Sequence, residues 1–555
     1  MNLSRHFVKP PEGIIMLIIY MLVVTISVPS NPTFIMVTYF NEVNICCGRI
    51  ILFAAGYPKS KPENGEIFML PHWISELVHF VVRWIPVINL FFAAVIIFLE
   101  RRNAAVAWAW LILLLFVPFF GFIIYLLFGQ NLARQKVYKM KPKIDPRIRE
   151  DIKSLVRKMK AGDLEYKQPG IKDYQPLIYM NLISSYSLLS ENNEVTLYTD
   201  GQDKLRAIME EIERAEKHIH LLYYKIGNDE TGRKVIEALT DKASEGVEVR
   251  VLYDDIGSPK LNREVFRELE AAGGKAYPFF ASKIRYLNFR VNYRNHRKFA
   301  IFDGRIGFIG GFNLGNEYVG LDPKYSYWRD THLKIQGDAV HRMQVQFLMD
   351  WSIPSSEAIV SDLGYYPKIQ TQGNTAVQIV SSGPASDKQQ IKFCIIKLIS
   401  EAKRRIYLQT PYFVPDDSVL TALKVAVSTG VDVHIMIPKK SDSLVVEWAT
   451  YSYMEDLLIA GAHIYLYKTG FLHGKTMVVD GRVSSVGTAN MDYRSFELNF
   501  ETNAVLYDVQ VAGQLEGIFE KDLEDCELLT LSGYKSRSHL TRMAESVARL
   551  LSPIL

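Results

Sequence analysis

A short motif that occurs twice constrains this chain more than any other feature. His296-Arg-Lys-Phe-Ala-Ile-Phe-Asp303 and His473-Gly-Lys-Thr-Met-Val-Val-Asp480 both read His-x-Lys, four further residues, then Asp. Between Lys and Asp the residues are mostly apolar and β-forming, which predicts a buried strand in each copy. Both copies continue alike. Asp303-Gly-Arg and Asp480-Gly-Arg predict hairpin turns, and an Asn follows each His by seventeen positions, at Asn313 and Asn490. Strand side chains alternate between faces, so His296 with Lys298, and His473 with Lys475, share one face. Asp303 and Asp480 complete the motif but lie an odd number of positions past Lys, off that face. They are expected to be structural, bonding the turn.

The repeat extends beyond the motif. Ile399-Ser-Glu-Ala-Lys-Arg-Arg-Ile406 answers Ile212-Glu-Arg-Ala-Glu-Lys-His-Ile219, and Ser428-Thr-Gly-Val-Asp-Val433 answers Ser244-Glu-Gly-Val-Glu-Val249. Ala460-Gly-Ala-His-Ile464 answers Ala272-Gly-Gly-Lys-Ala276. From about Val195, strands alternate with helices, for example strand Ile219 to Tyr224, helix Gly232 to Ser244 and strand Val247 to Tyr253. This is an α/β pattern. It predicts two pseudo-symmetric halves, 176–353 and 378–535, sharing one active site and joined by a Ser-, Pro- and Gly-rich linker at 354–377.

Apolar residues crowd the first 130 positions. Membrane spans are expected near 13–29, 84–99 and 104–128, the last two as a tight hairpin with Trp108, Trp110 and Tyr125 as interfacial anchors. The first run, with Arg5 and Lys9 ahead of it, lacks a small-x-small cleavage site, which favours an uncleaved span over a signal peptide. Residues 33–83 carry no assignment. Residues 131–160 hold eleven Lys/Arg against three acids. They open a basic juxtamembrane linker, 131–175, that puts the remainder of the chain on the cytoplasmic face and near anionic lipid. Ile152, Leu155, Val156 and Met159 have helical spacing there. At the other end, 536–555 reads as an amphipathic helix, with Leu540, Met543, Val547 and Leu550 on one face. Packing on the domain and lying on the bilayer both satisfy that face.

Two histidines, one from each half, suit phosphoryl transfer without metal. A neutral imidazole attacks phosphorus while a protonated one on the far side gives its proton to the leaving oxygen. Lys298, Lys475, Asn313 and Asn490 would grip the non-bridging oxygens. Each ring needs a carboxylate to hold its tautomer. Aligning Asp330-Thr-His-Leu-Lys-Ile with Glu501-Thr-Asn-Ala-Val-Leu nominates Asp330 and Glu501. A pseudo-twofold placing the motif strands edge to edge would bring the set together. No Asp/Glu/His cluster has metal-ligand spacing, and the four cysteines make neither a zinc site nor a disulfide framework. No metal and no cofactor is expected. Gly474-Lys-Thr476 fails as a phosphate loop because Thr469 stands where its first Gly belongs.

The duplicated motif, with Gly310-Gly-Phe-Asn313 and Gly487-Thr-Ala-Asn490 behind it, resembles the phospholipase D superfamily. Over most of its length after Trp84 the chain is similar to the bacterial cardiolipin synthase family. Trp110 to Asn131, Trp328-Arg-Asp-Thr-His332, Gln409-Thr-Pro-Tyr-Phe-Val-Pro-Asp-Asp417, Ser495-Phe-Glu-Leu-Asn-Phe-Glu-Thr-Asn503 and Ser552-Pro-Ile-Leu555 carry that likeness. The resemblance implies transfer of a phosphatidyl group between two phosphatidylglycerol molecules through a phosphohistidine, with release of glycerol. It implies His296 as nucleophile and His473 as acid/base. Two departures stand out. The amino-terminal 83 residues exceed the family's two-span anchor, and Gly311 stands where many relatives have Ser or Thr, as Thr488 does here.

The implied partners are phosphatidylglycerol, other anionic phospholipids and a bacterial cell membrane spanned several times. A net charge of +4 and the apolar amino terminus argue against nucleic acid. A phospholipase D-type hydrolase releasing phosphatidic acid would use the same residues. A non-catalytic scaffold would not need both motifs intact. His332 and His341 receive no role, and Tyr325, Tyr412 and Phe413 are read as core rather than as a lipid channel. The sequence assigns no oligomeric state.

Overall fold

The structure, a computed structural model, describes residues 146–281, 293–357, 363–384, 386 and 388–554, with 80, 84, 87, 89–94, 104–116 and 121 near the amino terminus. The span expected at 13–29 lies outside the described residues, as do 33–79 and parts of the spans expected at 84–99 and 104–128. The chain divides into two compact units, Met1–Gly129 and Gln130–Leu555. In the first, Ala104–Phe116 is an apolar helix. Asn89 Nδ2 donates to the Leu114 carbonyl oxygen at 3.0 Å, and Phe92 packs on Trp110 and Leu114, so 89–94 lies along that helix. Among the described residues, no helix is long and apolar enough to cross a membrane.

The second unit holds both motifs. Its first half contributes β1 (Leu189–Tyr198), β2 (His218–Tyr223), β3 (Glu248–Asp254), β4 (Lys275–Phe279), β5 (Lys298–Phe302), β6 (Ile306–Gly310) and β7 (His332–Gly337). The second half repeats them as β8 (Thr375–Ser382), β9 (Arg405–Gln409), β10 (Asp432–Pro438), β11 (His463–Tyr467), β12 (Thr476–Val479), β13 (Val483–Gly487) and β14 (Asn499–Tyr507), then adds β15 (Cys526–Leu529). One sheet carries them all, in the order β15-β11-β10-β9-β12-β13-β14-β8-β1-β7-β6-β5-β2-β3-β4. Outward from the antiparallel β1–β8 seam, the two halves read alike.

Both faces of the sheet are covered, so its strands are apolar runs rather than alternating ones. In β5, Phe299 and Ile301 face a core shared by the two halves under helices Ala339–Ser355 and Val509–Asp522. Ala300 and Phe302 face the opposite core, under helices Gly201–Arg214 and Glu230–Ser244. Truncating a buried Phe such as Phe299 to Ala costs about 3–5 kcal/mol. Asp200, Asp229, Asp416 and Asp508 start their helices by accepting backbone N–H groups.

Three expectations change. The motif strands are not edge to edge: β6, β7, β1, β8, β14 and β13 lie between β5 and β12. The strands also begin at Lys298 and Thr476, so both histidines sit in the lead-in to a strand rather than on it. The stripe Ile152, Leu155, Val156 and Met159 does lie on one helix, Pro146–Ala161, but it packs into the second-half core together with helix Gln175–Ser185. Chain that precedes the first half is thus built onto the second.

Candidate active site

Each histidine is held by the opposite half. Arg294–Asn295 pairs in parallel with Asn499–Phe500, and the His296 N–H donates to the Phe500 carbonyl oxygen at 3.0 Å. Phe471–Leu472 pairs in parallel with Trp328–Arg329, and the His473 N–H donates to the Arg329 carbonyl oxygen at 2.6 Å. The residue after each accepting carbonyl is a carboxylate. Glu501 Oε1 and Oε2 therefore lie 2.9 and 3.0 Å from His296 Nδ1, and Asp330 Oδ2 lies 2.5 Å from His473 Nδ1. The two nominated carboxylates are crossed between the halves. With Nδ1 engaged, Nε2 is the nitrogen each ring has without a partner among the described residues.

Lys298 Nζ donates to the His296 carbonyl oxygen at 2.7 Å, and Lys475 Nζ to the His473 carbonyl oxygen at 2.6 Å. Lys475 Nζ also lies 3.0 Å from His473 Nδ1. All six groups are buried and feel one another. Burial, opposed by Glu501, pulls His296 down to about 4; burial and Lys475, opposed by Asp330, do the same to His473. Burial lowers Lys298 to about 7 and Lys475 to about 8, although Glu501 and Asp330 pull them back up. Burial also disfavours the charged carboxylates, but Lys475 and His473 outweigh it at Asp330, as His296 and Lys298 do at Glu501, and both stay below their ordinary values. The result is a buried cluster of two imidazoles, two carboxylates and two ammonium groups.

The supports of the two carboxylates differ. Glu501 accepts from the Thr488 hydroxyl at 2.5 Å and from Asn499 Nδ2 at 3.1 Å. Asp330 is one methylene shorter and lies over Gly311, where a Cβ would stand 1.9 Å from its Oδ1. Thr488 in one half and Gly311 in the other are thus fitted to the length of the acid they face.

Asp303 and Asp480 lie away from the rings. Asp303 accepts from the backbone N–H groups of Glu216, Lys217 and His218 at 3.0, 2.8 and 2.9 Å. Asp480 accepts from those of Lys403, Arg404 and Arg405 at 2.8, 2.7 and 2.9 Å. Their carboxylates hold the start of the neighbouring strand rather than their own turn. The turn itself has positive φ at Asp303 and Gly304 (51° and 65°) and at Asp480 and Gly481 (55° and 66°), as a type I′ hairpin requires. Asn313 accepts from the Lys225 N–H at 3.1 Å and donates to Tyr318 Oη at 2.8 Å. Asn490 Nδ2 donates to Asp492 at 3.0 Å, and its Oδ1 has no partner among the described residues.

Several neighbours escaped the sequence reading. Arg297, the variable residue of the first motif, makes a buried ion pair with Asp350, its Nη1 donating to both carboxylate oxygens, and its Nη2 donates to the Ser382 carbonyl oxygen at 2.8 Å. Arg329 is clamped on Asp522 from the second half. Tyr224 packs edge-on against His296, with ring centroids 4.9 Å apart. Tyr325 and Tyr412 pack, half-buried, on the core cluster of Trp328 and Phe471 beside His473, whereas Phe413 is buried in the second-half core. His332 is fully buried with neither ring nitrogen bonded among the described residues, and His341 bonds the Pro367 carbonyl. Only the difference between Arg297 and Gly474 could have flagged any of this, because these contacts join residues far apart in the chain.

Comparison with known proteins agrees with this architecture. The family described as "Cardiolipin synthase, PLD-like domain" matches at residues 208–351 and again at 395–523, and "Phospholipase_D-nuclease N-terminal" matches at 87–130. The major cardiolipin synthase of Bacillus subtilis and a cardiolipin synthase of Listeria monocytogenes are each 47% identical over 470 residues, covering 84% of this chain and 98% of theirs. The phosphatidylserine synthase structure from Haemophilus influenzae aligns with a TM-score of 0.54 at 16% identity, over 70% of this chain and 100% of that one, a likeness of fold. The chain belongs to the cardiolipin synthase family, and its α/β body is the two-halved phospholipase D-like fold.

Proposed function

We propose that this protein is a cardiolipin synthase: it transfers a phosphatidyl group from one phosphatidylglycerol to a second and releases glycerol. The crossed pairs His296–Glu501 and His473–Asp330 carry the reading, because they offer two tautomer-fixed imidazoles from opposite halves to one phosphorus. In the first step His296 Nε2 attacks phosphorus, an N–P bond forms and the P–O bond to glycerol breaks. His473 Nε2–H gives its proton to the departing oxygen. In the second step the neutral His473 takes the proton of the acceptor lipid's hydroxyl, whose oxygen forms the new P–O bond as the N–P bond breaks. Both rings are neutral at pH 7 without substrate, since each is held to about 4. A bound phosphodiester anion offsets the lysine charges and lets His473 take up a proton at Nε2 before the first step.

Lys298 and Lys475 each spend one N–H on a carbonyl and keep two for non-bridging oxygens. Asn313 and Asn490 each keep one amide N–H for the same task. Glu501 and Asp330 hold the rings and stabilise the imidazolium. Asp303 and Asp480 act only on the framework. We assign the body to the cytoplasmic face of a bacterial cell membrane, anchored by several spans within residues 1–130; the basic run 131–160 supports this. The test is purified full-length protein in vesicles of labelled phosphatidylglycerol. Cardiolipin with free glycerol is expected, reversed by excess glycerol and lost on removal of residues 1–130. Phosphatidic acid as the main product would mean that water is the acceptor and the protein a hydrolase.

A further inference from the structure

Beside Asp330 lies a buried ammonium group that the two-histidine mechanism does not use. Helix Gly201–Arg214 presses its first turn onto the loop that follows Asn313. A Cβ on Gly201 would strike the Tyr318 carbonyl oxygen, and Gln202 Nε2 donates to the Val319 carbonyl oxygen at 3.0 Å. This docking carries Lys204 inward until it is 1% exposed. Its Nζ makes one hydrogen bond among the described residues, a long one of 3.4 Å to the Asn313 carbonyl oxygen, and stands 4.7 Å from the centre of the Tyr223 ring. An ammonium group has three N–H donors, and a buried charge with so little local compensation is costly. Among the described residues the one acid that acts on it is Asp330, not Glu501. Burial pulls Lys204 down to about 7, and Asp330 pulls it back up.

The second half has no such cation. In the alignment that sets Ile212 against Ile399, Lys204 answers Ile391, an apolar residue that is equally buried. The supports of the two carboxylates differ to match. Glu501 accepts from the side chains of Thr488 and Asn499. Their counterparts beside Asp330 are Gly311, which has no side chain, and Trp328, whose Nε1 has no partner among the described residues. Apart from the His473 ring, Asp330 accepts only from the N–H of the next residue, Thr331, at 2.7 Å. Asp330 lies over Gly311, and Lys204 bonds Asn313 two residues further along the same segment. What this half withholds from its carboxylate in hydrogen bonds, it supplies as charge.

The proposed reaction needs that charge when substrate is bound. His473 must then carry a proton on each ring nitrogen, with Asp330 ionised beside Nδ1. An arriving phosphodiester anion engages Lys298 and Lys475, and its own charge favours a protonated Asp330. We propose that Lys204 is a positioning residue for the phosphatidyl transfer: its ammonium group keeps Asp330 ionised while Lys475 serves the phosphate, and so keeps His473 in the tautomer that donates from Nε2. The inference rests on the phosphatidyltransferase reading and adds a third lysine to it.

The test compares two leaving groups in the full-length protein. Glycerol needs a proton from His473 to depart, whereas p-nitrophenolate leaves without one. Single-turnover release of glycerol from labelled phosphatidylglycerol should fall about tenfold or more in Lys204→Met, a share of what general acid catalysis contributes. Release of p-nitrophenolate from phosphatidyl-p-nitrophenol should stay within about twofold. Tm should not drop, because a thioether in place of a weakly compensated buried charge is neutral or stabilising. Lys204→Gln, which keeps a donor for the Asn313 carbonyl and lacks the charge, should show the same split and serves if the Met variant does not fold. In an Asp330→Asn background, Lys204→Met should cost nothing further. Equal loss with both leaving groups makes Lys204 a framework residue and overturns the proposal, as does undiminished glycerol release or a full additional loss in the Asp330→Asn protein. Phosphatidic acid in place of cardiolipin from wild type would fail the transferase reading alone. Hydrolysis shares the first step, so the leaving-group comparison would still decide the role of Lys204.

Discussion

The two halves hold their histidines with the same backbone device and with different side chains, and the difference shows what the device needs. In both, a two-residue parallel pairing brings the His lead-in beside the opposite half, and the next residue there is the carboxylate. Around His296 the longer acid Glu501 is steadied by Thr488 and Asn499. Around His473 the shorter Asp330 leaves no room for any side chain at Gly311, and Lys475 stands against the ring nitrogen itself. The acid's length and its support changed together, while the ring-to-carboxylate contact stayed at hydrogen-bond distance. What is common to the halves is the tautomer lock; what differs is how much positive charge each ring feels.

The largest expected effect tests whether the halves are equally necessary. His296→Ala and His473→Ala should each reduce turnover by roughly 10⁴ or more, as for members of one catalytic unit. Acid-labile phosphate should be trapped on His296 in the His473→Ala protein. Label on His473 in the reciprocal variant would reverse the roles, and near-normal turnover in either would end the two-histidine mechanism.

Next comes the fit of acid to support. Gly311→Ala drives a methyl into Asp330 and should lower kcat by about 10², because a ring displaced by an ångström loses its alignment. Thr488→Val only removes one donor from Glu501, a loss of about 1–3 kcal/mol of support for a buried group, and should be the milder of the two. Equal effects on kcat, with Tm measured alongside, would mean that the two supports are interchangeable.

The motif's aspartates should separate stability from chemistry. Asp303→Ala and Asp480→Ala each strip a carboxylate from three backbone N–H groups and should destabilise the protein by about 3 kcal/mol or more. Activity per folded molecule, measured well below Tm, should survive. Loss of kcat with an unchanged melting curve would return these residues to the chemistry.

The smallest effect reads the charge difference directly. After burial, Lys475 is the largest influence on His473, whereas Glu501 is the largest on His296. A nearby cation disfavours imidazolium, so removing it raises the pKa. Lys475→Met should therefore raise His473 by more than Lys298→Met raises His296. Carbethoxylation followed residue by residue with mass spectrometry reports this, because the rate drops as pH falls through each ring's pKa. Equal shifts would erase the asymmetry between the halves.

Much of this protein could be read from its residues. A duplicated His-x-Lys with matching strand, turn and Asn spacing determined the two-halved α/β class. Alignment of the halves was enough to nominate Asp330 and Glu501, and strand parity to take Asp303 and Asp480 off the rings. These are local properties, set by side-chain periodicity and turn chemistry within a few residues. Tertiary structure alone decided that Glu501 serves His296 and Asp330 serves His473, across 205 and 143 residues. Periodicity tells which face of its own strand a residue takes, and says nothing about which chain end another strand brings to it. The same limit applies to the C-terminal helix. Its apolar stripe was plain in the sequence, but that the stripe points outward depended on Arg542 and Arg549 finding Glu455 and Asp456 on the neighbouring helix.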